Sequence, residues 1–191
     1  MYIQTELTPN PNSIKFMPGK EVLGNRSLHF ISKEEAVNSP IALRLFGIDG
    51  VESIFLGSDF ITISKQEKTS WDLLKPYVIE VILAHYLEGK PILADASGSE
   101  NEVIDEFFRE EDAQLVKEIK ELLDTRIRPA VAQDGGDIIF KGYQEGVVYL
   151  SLHGACSGCP SSTATLKMGI ENMLKHYVPE VIEVRALDSD D

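Results

Sequence analysis

The stretch from Asp95 to Asp112, DASGSENEVIDEFFREED, decides what this chain can fold into. It opens with small polar residues, and over 96–112 seven acids stand against one arginine. A segment of that kind repels itself and stays solvated, so it cannot run through the middle of a core. The 191 residues are therefore read as two small domains, 1–95 and 113–191, joined by an acidic linker over 96–112. Inside the linker, Val103, Ile104, Phe107 and Phe108 are spaced for one face of a short helix that could dock against a domain or a partner.

Ahead of the linker, YIQTEL and SIKFM read as short strands, with TPNPN enforcing a turn between them. SPIALRLFGI starts a helix with Ser39 as N-cap and Pro40 at its first position. DGVESIFLGSDFITISK supplies two strands around Gly57-Ser58-Asp59. TSWDLLKPYVIEVILAHYLEG is a helix capped by Thr69 or Ser70 and stopped by Gly89, with Pro76 expected to divide or bend it. Trp71, Leu74, Tyr77, Val78, Val81 and Ile82 recur at helical spacing and are assigned to its core face.

Beyond the linker, Leu115, Val116, Ile119, Leu122, Leu123 and Ile127 form one apolar stripe, and Pro129 marks the expected helix end. After the QDGGD turn, IIFKGY and VVYLSL alternate as a hairpin joined by QEG. A second helix carries Leu166, Ile170, Met173, Leu174 and Tyr177 on one face and stops at Pro179; VIEVRAL is the last strand. The prediction is an α+β chain of two small domains: a mixed α/β first domain, and a second with order helix-strand-strand-helix-strand. The second should hold a three-stranded sheet with two helices over one face.

Net charge is −13, the wrong sign for neutralising phosphates, which argues against nucleic-acid binding. No apolar run approaches the roughly 18–20 residues that span a bilayer. MYIQTELTPNPN carries neither a secretory pattern nor an Arg-rich amphipathic one. The cytoplasm is the expected setting, with a transit peptide absent or already removed.

The two cysteines, Cys156 and Cys159, stand in HGACSGCPSS. Two cannot make a secreted disulfide framework, so a metal-binding or redox role is expected. Gly154, Ala155, Ser157 and Gly158 are small, and Pro160 suits a helix start, with Ser161 or Ser162 as caps. The loop then lies between a strand end and a helix N-terminus, whose dipole should lower both thiol pKa values. Three chemistries are open. A thioredoxin-like dithiol shares the strand-loop-helix setting, but the chain after Cys159 is short for that sheet. Zinc wants four ligands, and His153 is the only nearby addition; it, His29, His85 and His176 read as exposed or hydrogen-bonded side chains. An iron–sulfur cluster also wants four thiolates, which two chains related by a two-fold axis would supply.

LDTRIRPAVAQDGGDIIF, followed by VYLSLHGACSGCPSSTATLKMGIENMLKHYVPEVIEV, closely resembles the C-terminal domain of NifU and the Nfu family of iron–sulfur scaffold and carrier proteins. TPNPNSIKFMPG, SPIALRLFGIDGV and FLGSDFITISK resemble the Nfu N-terminal domain. The resemblance implies a homodimer, not an enzyme, that binds a [4Fe–4S] cluster between its subunits, with a [2Fe–2S] form left open. Cys156 and Cys159 would be the ligands. The partners implied are upstream cluster assembly machinery and apo iron–sulfur proteins as recipients. Asp134–Asp137 is read as a simple turn or part of a recipient-facing surface. Arg126 and Arg128 read as helix-end cations or as contacts to the cluster's charge, and Tyr143 and Tyr149 as hairpin packing.

Overall fold

Each proposed turn in the first half joins strands whose apolar residues alternate, and alternation of that kind builds an antiparallel sheet. The computed structural model describes residues 2–94, 106–157 and 160–187, with backbone alone at 160–162. The chain divides into two compact units, Met1–Glu100 and Asn101–Asp191.

In the first unit β1 (Gln4–Leu7) and β2 (Ser13–Met17) flank the TPNPN turn. A short β3 (Leu28–Phe30) follows, which the sequence pattern did not single out. Then come α1 (Pro40–Leu45), β4 (Val51–Leu56), β5 (Ile61–Lys65) and α2 (Trp71–Leu87). The strands form one sheet in the order β1-β2-β5-β4-β3, antiparallel throughout. Ile14, Phe16, Ile54, Leu56, Ile61 and Ile63 share a core with Ile41, Leu45, Leu74, Val78 and Ile82 of the two helices.

Ser39 caps α1 as expected, its Oγ accepting from the Ala42 N–H, and Pro40 opens the helix. Ser70 caps α2. Gly89, at φ 63°, closes α2: its N–H donates to the Tyr86 carbonyl at 3.2 Å and that of Lys90 to the His85 carbonyl at 3.4 Å. This is the paired bonding of a Schellman motif, which suits a glycine in the left-handed region.

Two expectations for α2 need correction. Pro76 does not divide it; one helix of 17 residues runs through. An interior proline costs about 3 kcal/mol, while burying Leu74, Val78 and Ile82 returns about 1.5–3 kcal/mol each, so packing wins. Tyr77 does not face the core but is exposed, while His85, which was not assigned to the core face, is buried beside Leu74, Val78 and Ile82.

The second unit opens with an extended segment. Phe107 forms a parallel bridge to Gly142, so it is not helical; Val103 and Ile104 lie outside the described residues. α3 (Ala113–Leu122), a π-helical turn at Leu123–Ile127 and α4 (Arg128–Gln133) then follow without a break. Pro129 therefore does not end the helix. The widened turn ahead of it relieves the clash that a proline ring makes with the preceding carbonyls.

β6 (Gly136–Gln144) and β7 (Val147–Gly154) form the hairpin. Its two-residue turn places Glu145 and Gly146 at φ 49° and 85°, the twist that suits a tight hairpin. α5 (Pro160–Tyr177) crosses back to β8 (Glu183–Leu187), which lies parallel to β7. The sheet order β6-β7-β8 gives the three-stranded arrangement expected. Val116, Ile119, Leu123, Ile127 and Val131 pack with Ile138, Phe140, Val148, Leu150, Ile170 and Leu174 in one core.

Candidate functional site

The candidate site lies at the end of β7, where the strand leads into the cysteine loop. Gly154 takes φ 68°, which a side chain resists, and so turns the backbone out of the strand. The Ser157 N–H and Oγ both donate to the Gly154 carbonyl, at 3.1 and 2.8 Å, and the Ala155 N–H donates to the Gly135 carbonyl at 3.2 Å. These bonds fix the loop that presents Cys156. Thr163 Oγ1, in the first turns of α5, donates to the Cys156 carbonyl at 3.0 Å and ties the loop to the following helix. Cys159 lies outside the described residues, as does Gly158.

Cys156 is 6% exposed and belongs to the apolar core of its unit. Its sulfur lies against Gly136, where a Cβ would come within 2.6 Å of Sγ and within 2.6 Å of the His153 carbonyl oxygen. The two glycines of DGGD thus serve different ends. Gly135 takes φ 81°, a backbone state that resists a Cβ. Gly136 has no such angle; the thiol and the His153 carbonyl oxygen together occupy the space a side chain would need.

The expectation of a lowered thiol pKa fails for Cys156. Burial pushes the thiol up to about 12, and the carboxylates of Asp134 and Asp137 add to the rise. The physical reason is distance. α5 begins at Pro160, four residues beyond Cys156, and the dipole of a helix end fades within one turn. Burial and two neighbouring anions outweigh it.

Asp137 is itself buried and held by a fork. Arg128 Nε donates to Oδ1 and Nη2 to Oδ2, both at 2.8 Å, and the Ile138 N–H donates to Oδ1 at 2.8 Å. Arg128 also reaches Asp124 at 3.2 Å, and its pairing with Asp137 raises its pKa further. Arg126 lies over the Tyr177 ring, 4.8 Å from the centroid. Both guanidinium groups are thus engaged inside the unit. Tyr143 is buried, and the Tyr149 ring meets Phe107 at 5.0 Å, so both tyrosines pack the hairpin. His153 accepts or donates a 2.9 Å bond to Ser151, in line with its expected modest role. His85 departs from that reading, being fully buried with neither ring nitrogen in a hydrogen bond of good geometry. Among the described residues no group of three or more His, Cys, Asp or Glu is placed to hold a metal ion.

The Gly136 contact and the Arg128–Asp137 fork were not foreseen. The doubled glycine was the available signal, but a sequence does not distinguish a glycine needed for its angle from one needed for its emptiness.

Two family models match in this order: Scaffold protein Nfu/NifU N terminal over residues 3–89 and NifU-like domain over 119–185. A human relative, NFU1 iron-sulfur cluster scaffold homolog, mitochondrial, is 49% identical over 192 residues, covering 100% of this chain and 74% of its own length. The chain belongs to the Nfu/NifU family. A relative of the same name from Drosophila ananassae is 51% identical over 186 residues, 96% of this chain and 63% of that protein. The chain thus spans about two thirds to three quarters of the length of these relatives. A solved NifU-like protein from Saccharomyces cerevisiae aligns at 30% identity with TM-score 0.45, over 50% of this chain and 86% of its own. No helix among the described residues is long and apolar enough to cross a membrane.

Proposed function

We propose that this Nfu/NifU chain is an iron–sulfur cluster scaffold and carrier, not an enzyme, whose cargo is a [4Fe–4S] cluster held between two copies of the chain. The ligands are Cys156 and Cys159 of each copy. Clusters of this type take four thiolates, and one chain has two cysteines in all. The observation that carries the reading is a Cys-x-x-Cys loop at a strand-to-helix junction, in a chain 49% identical along its whole length to a protein named an iron–sulfur cluster scaffold.

The geometry around Cys156 suits cargo that must also leave. Binding turns the sulfur away from Gly136 and releases its proton, because iron takes the thiolate. Departure returns the proton, and the thiol has a packed place to go back to. A recipient thiolate displaces Cys156 or Cys159 at iron, one Fe–S bond forming as another breaks. Small neighbours at Gly154, Ala155 and Ser157 leave room for that approach. The source of cargo is an upstream assembly machinery and the recipients are apo iron–sulfur proteins. Thiols that must stay reduced place the chain in a reducing compartment, the cytoplasm or a mitochondrial matrix.

A thioredoxin-like dithiol reading is disfavoured by the same geometry. The first cysteine of such a motif attacks as a thiolate, and here that residue is buried with its pKa raised. Anaerobic reconstitution with iron and sulfide tests the proposal. It expects about four irons and four sulfides per two chains, a dimer on sizing, loss of both in Cys156→Ser and Cys159→Ser, and transfer to an apo recipient. Iron bound at full stoichiometry by a monomer, zinc without sulfide, or dithiol turnover without metal would each replace it.

A further inference from the structure

Helix α2 is apolar on nearly every side, a pattern that in water belongs to a helix covered all round. Its inner face is filled by Leu74, Val78 and Ile82, which are buried, and its flanks by Trp71, Ile79, Val81, Leu83 and Tyr86, which pack against the same core. Among the described residues of this unit, nothing covers the outward face. Leu73 is 70% exposed, Tyr77 60% and Leu87 78%, with half-buried Ala84 between the last two. Residues 73, 77, 80, 84 and 87 follow helical spacing, so they form one stripe about 21 Å long.

Charge on that stripe is of one sign. It is carried by Glu80 at the centre, which has no ion-pair partner among the described residues, while Asp72 lies about 100° round the helix from Leu73 and outside the stripe. Lys75 falls on the opposite side of the helix by its spacing, and Glu88 is already paired with Arg44 and Lys90. A second copy of the chain is a poor occupant. Antiparallel pairing of 73–87 about a two-fold axis places residue 80 opposite residue 80, carboxylate against carboxylate. Like charges directly opposed destabilise such a pair.

We propose that the Leu73–Tyr77–Ala84–Leu87 stripe docks an amphipathic helix of another protein, one with an apolar ridge and a lysine or arginine set to meet Glu80. Four turns of one helix bury less than a standard interface of about 800 Å² per partner, so the contact is transient. The proposal concerns the first unit alone and is independent of what the cysteines hold.

The probe is a synthetic 20-residue helix with a leucine and alanine ridge and lysine flanks, fluorescently labelled and titrated with the full chain by anisotropy. Its counterpart carries glutamate flanks. Wild type should bind the lysine peptide with a Kd of about tens of micromolar and the glutamate peptide at least about 5-fold more weakly. Leu73→Ser with Tyr77→Ser should weaken binding about 10-fold, and the same variant should keep its circular dichroism because both positions are exposed. Glu80→Lys should reverse the preference between the peptides. Equal binding of the two, binding of neither, or no reversal in Glu80→Lys overturns the proposal. So does a dimer at these concentrations that Leu73→Ser with Tyr77→Ser abolishes, since the stripe would then belong to a second copy.

Discussion

Gly136 and Cys156 occupy one another's space: a methyl group on the glycine would come within 2.6 Å of the cysteine sulfur. Gly136→Ala should therefore displace the thiol and, because the His153 carbonyl oxygen lies equally close at 2.6 Å, strain the pairing of β6 with β7 as well. Overpacking of this kind costs about 1–3 kcal/mol, read as a lower urea midpoint, and Cys156 should become faster to alkylate in a Cys159→Ser background. Gly135→Ala supplies the contrast. It strains a residue at φ 81° and should lower stability while leaving the thiol protected.

The raised pKa of Cys156 sets a direction with pH. The folded value, about 12, lies above that of an unfolded thiol, so the stability attached to the neutral form is intact below about pH 8.5. It is lost as pH climbs from there toward the folded value, because the unfolded chain ionises first. In Cys159→Ser, alkylation of Cys156 at pH 7–8 should run at least about a hundredfold slower than that of an exposed thiol. Asp134→Asn removes one of the anions that raise the pKa and should speed the reaction. An alkylation rate equal to that of an unfolded control would contradict both statements.

Arg128→Met should harm the second unit more than Asp137→Asn. The first leaves a buried carboxylate without its fork, and the second removes the charge that needed it. Breaking a buried pair costs about 3–5 kcal/mol. Arg128 keeps 38% side-chain exposure, so water screens part of this and about 1–3 kcal/mol is expected. Arg128→Lys should rescue little, since an ammonium cannot make the two parallel bonds. Equilibrium unfolding of the three variants checks the order.

His85 gives the first unit an acid limit. Burial, and then the nearby Arg44 charge, lower its pKa below the usual 6.5; the Pro91 carbonyl and Glu88 offset only part of this, and Lys90 adds to the lowering. The unfolded chain takes up the proton first, so stability is complete above about pH 6.5 and falls as pH drops toward the folded value. His85→Leu should flatten that slope in urea midpoints measured from pH 7.5 to 5. An unchanged slope would mean that another group titrates there.

How well the sequence foretold the structure depended on where its punctuation fell. Ser39 and Pro40 were legible because a cap and an N1 proline act locally and nothing in the core opposes them. Pro76 and Pro129 carried the same local signal, but the helix runs past both: the buried face of α2 keeps it undivided at Pro76, and a widened turn accommodates Pro129. Tyr77 has the right spacing for the core and the wrong side of the helix, because a helix apolar all round has no periodicity to orient it. β3 is three residues long, too short to register as alternation. At the site, the position of Cys156 between strand and helix was readable from its neighbours. Its burial was not, because the packing surface comes from Gly136, 20 residues earlier.

The bridge between Phe107 and Gly142 carries a practical consequence for anyone dividing this chain. The Phe107 N–H donates to the Lys141 carbonyl at 3.1 Å and its carbonyl accepts from Tyr143 at 2.8 Å, while its ring fills the place of a missing Cβ at Gly142. A fragment that starts at Ala113 would shed this extra half-strand and leave the bulged edge of β6 bare, an invitation to aggregate. Starting at Glu106, which also keeps the 2.7 Å contact with Lys120, should give the better-behaved piece.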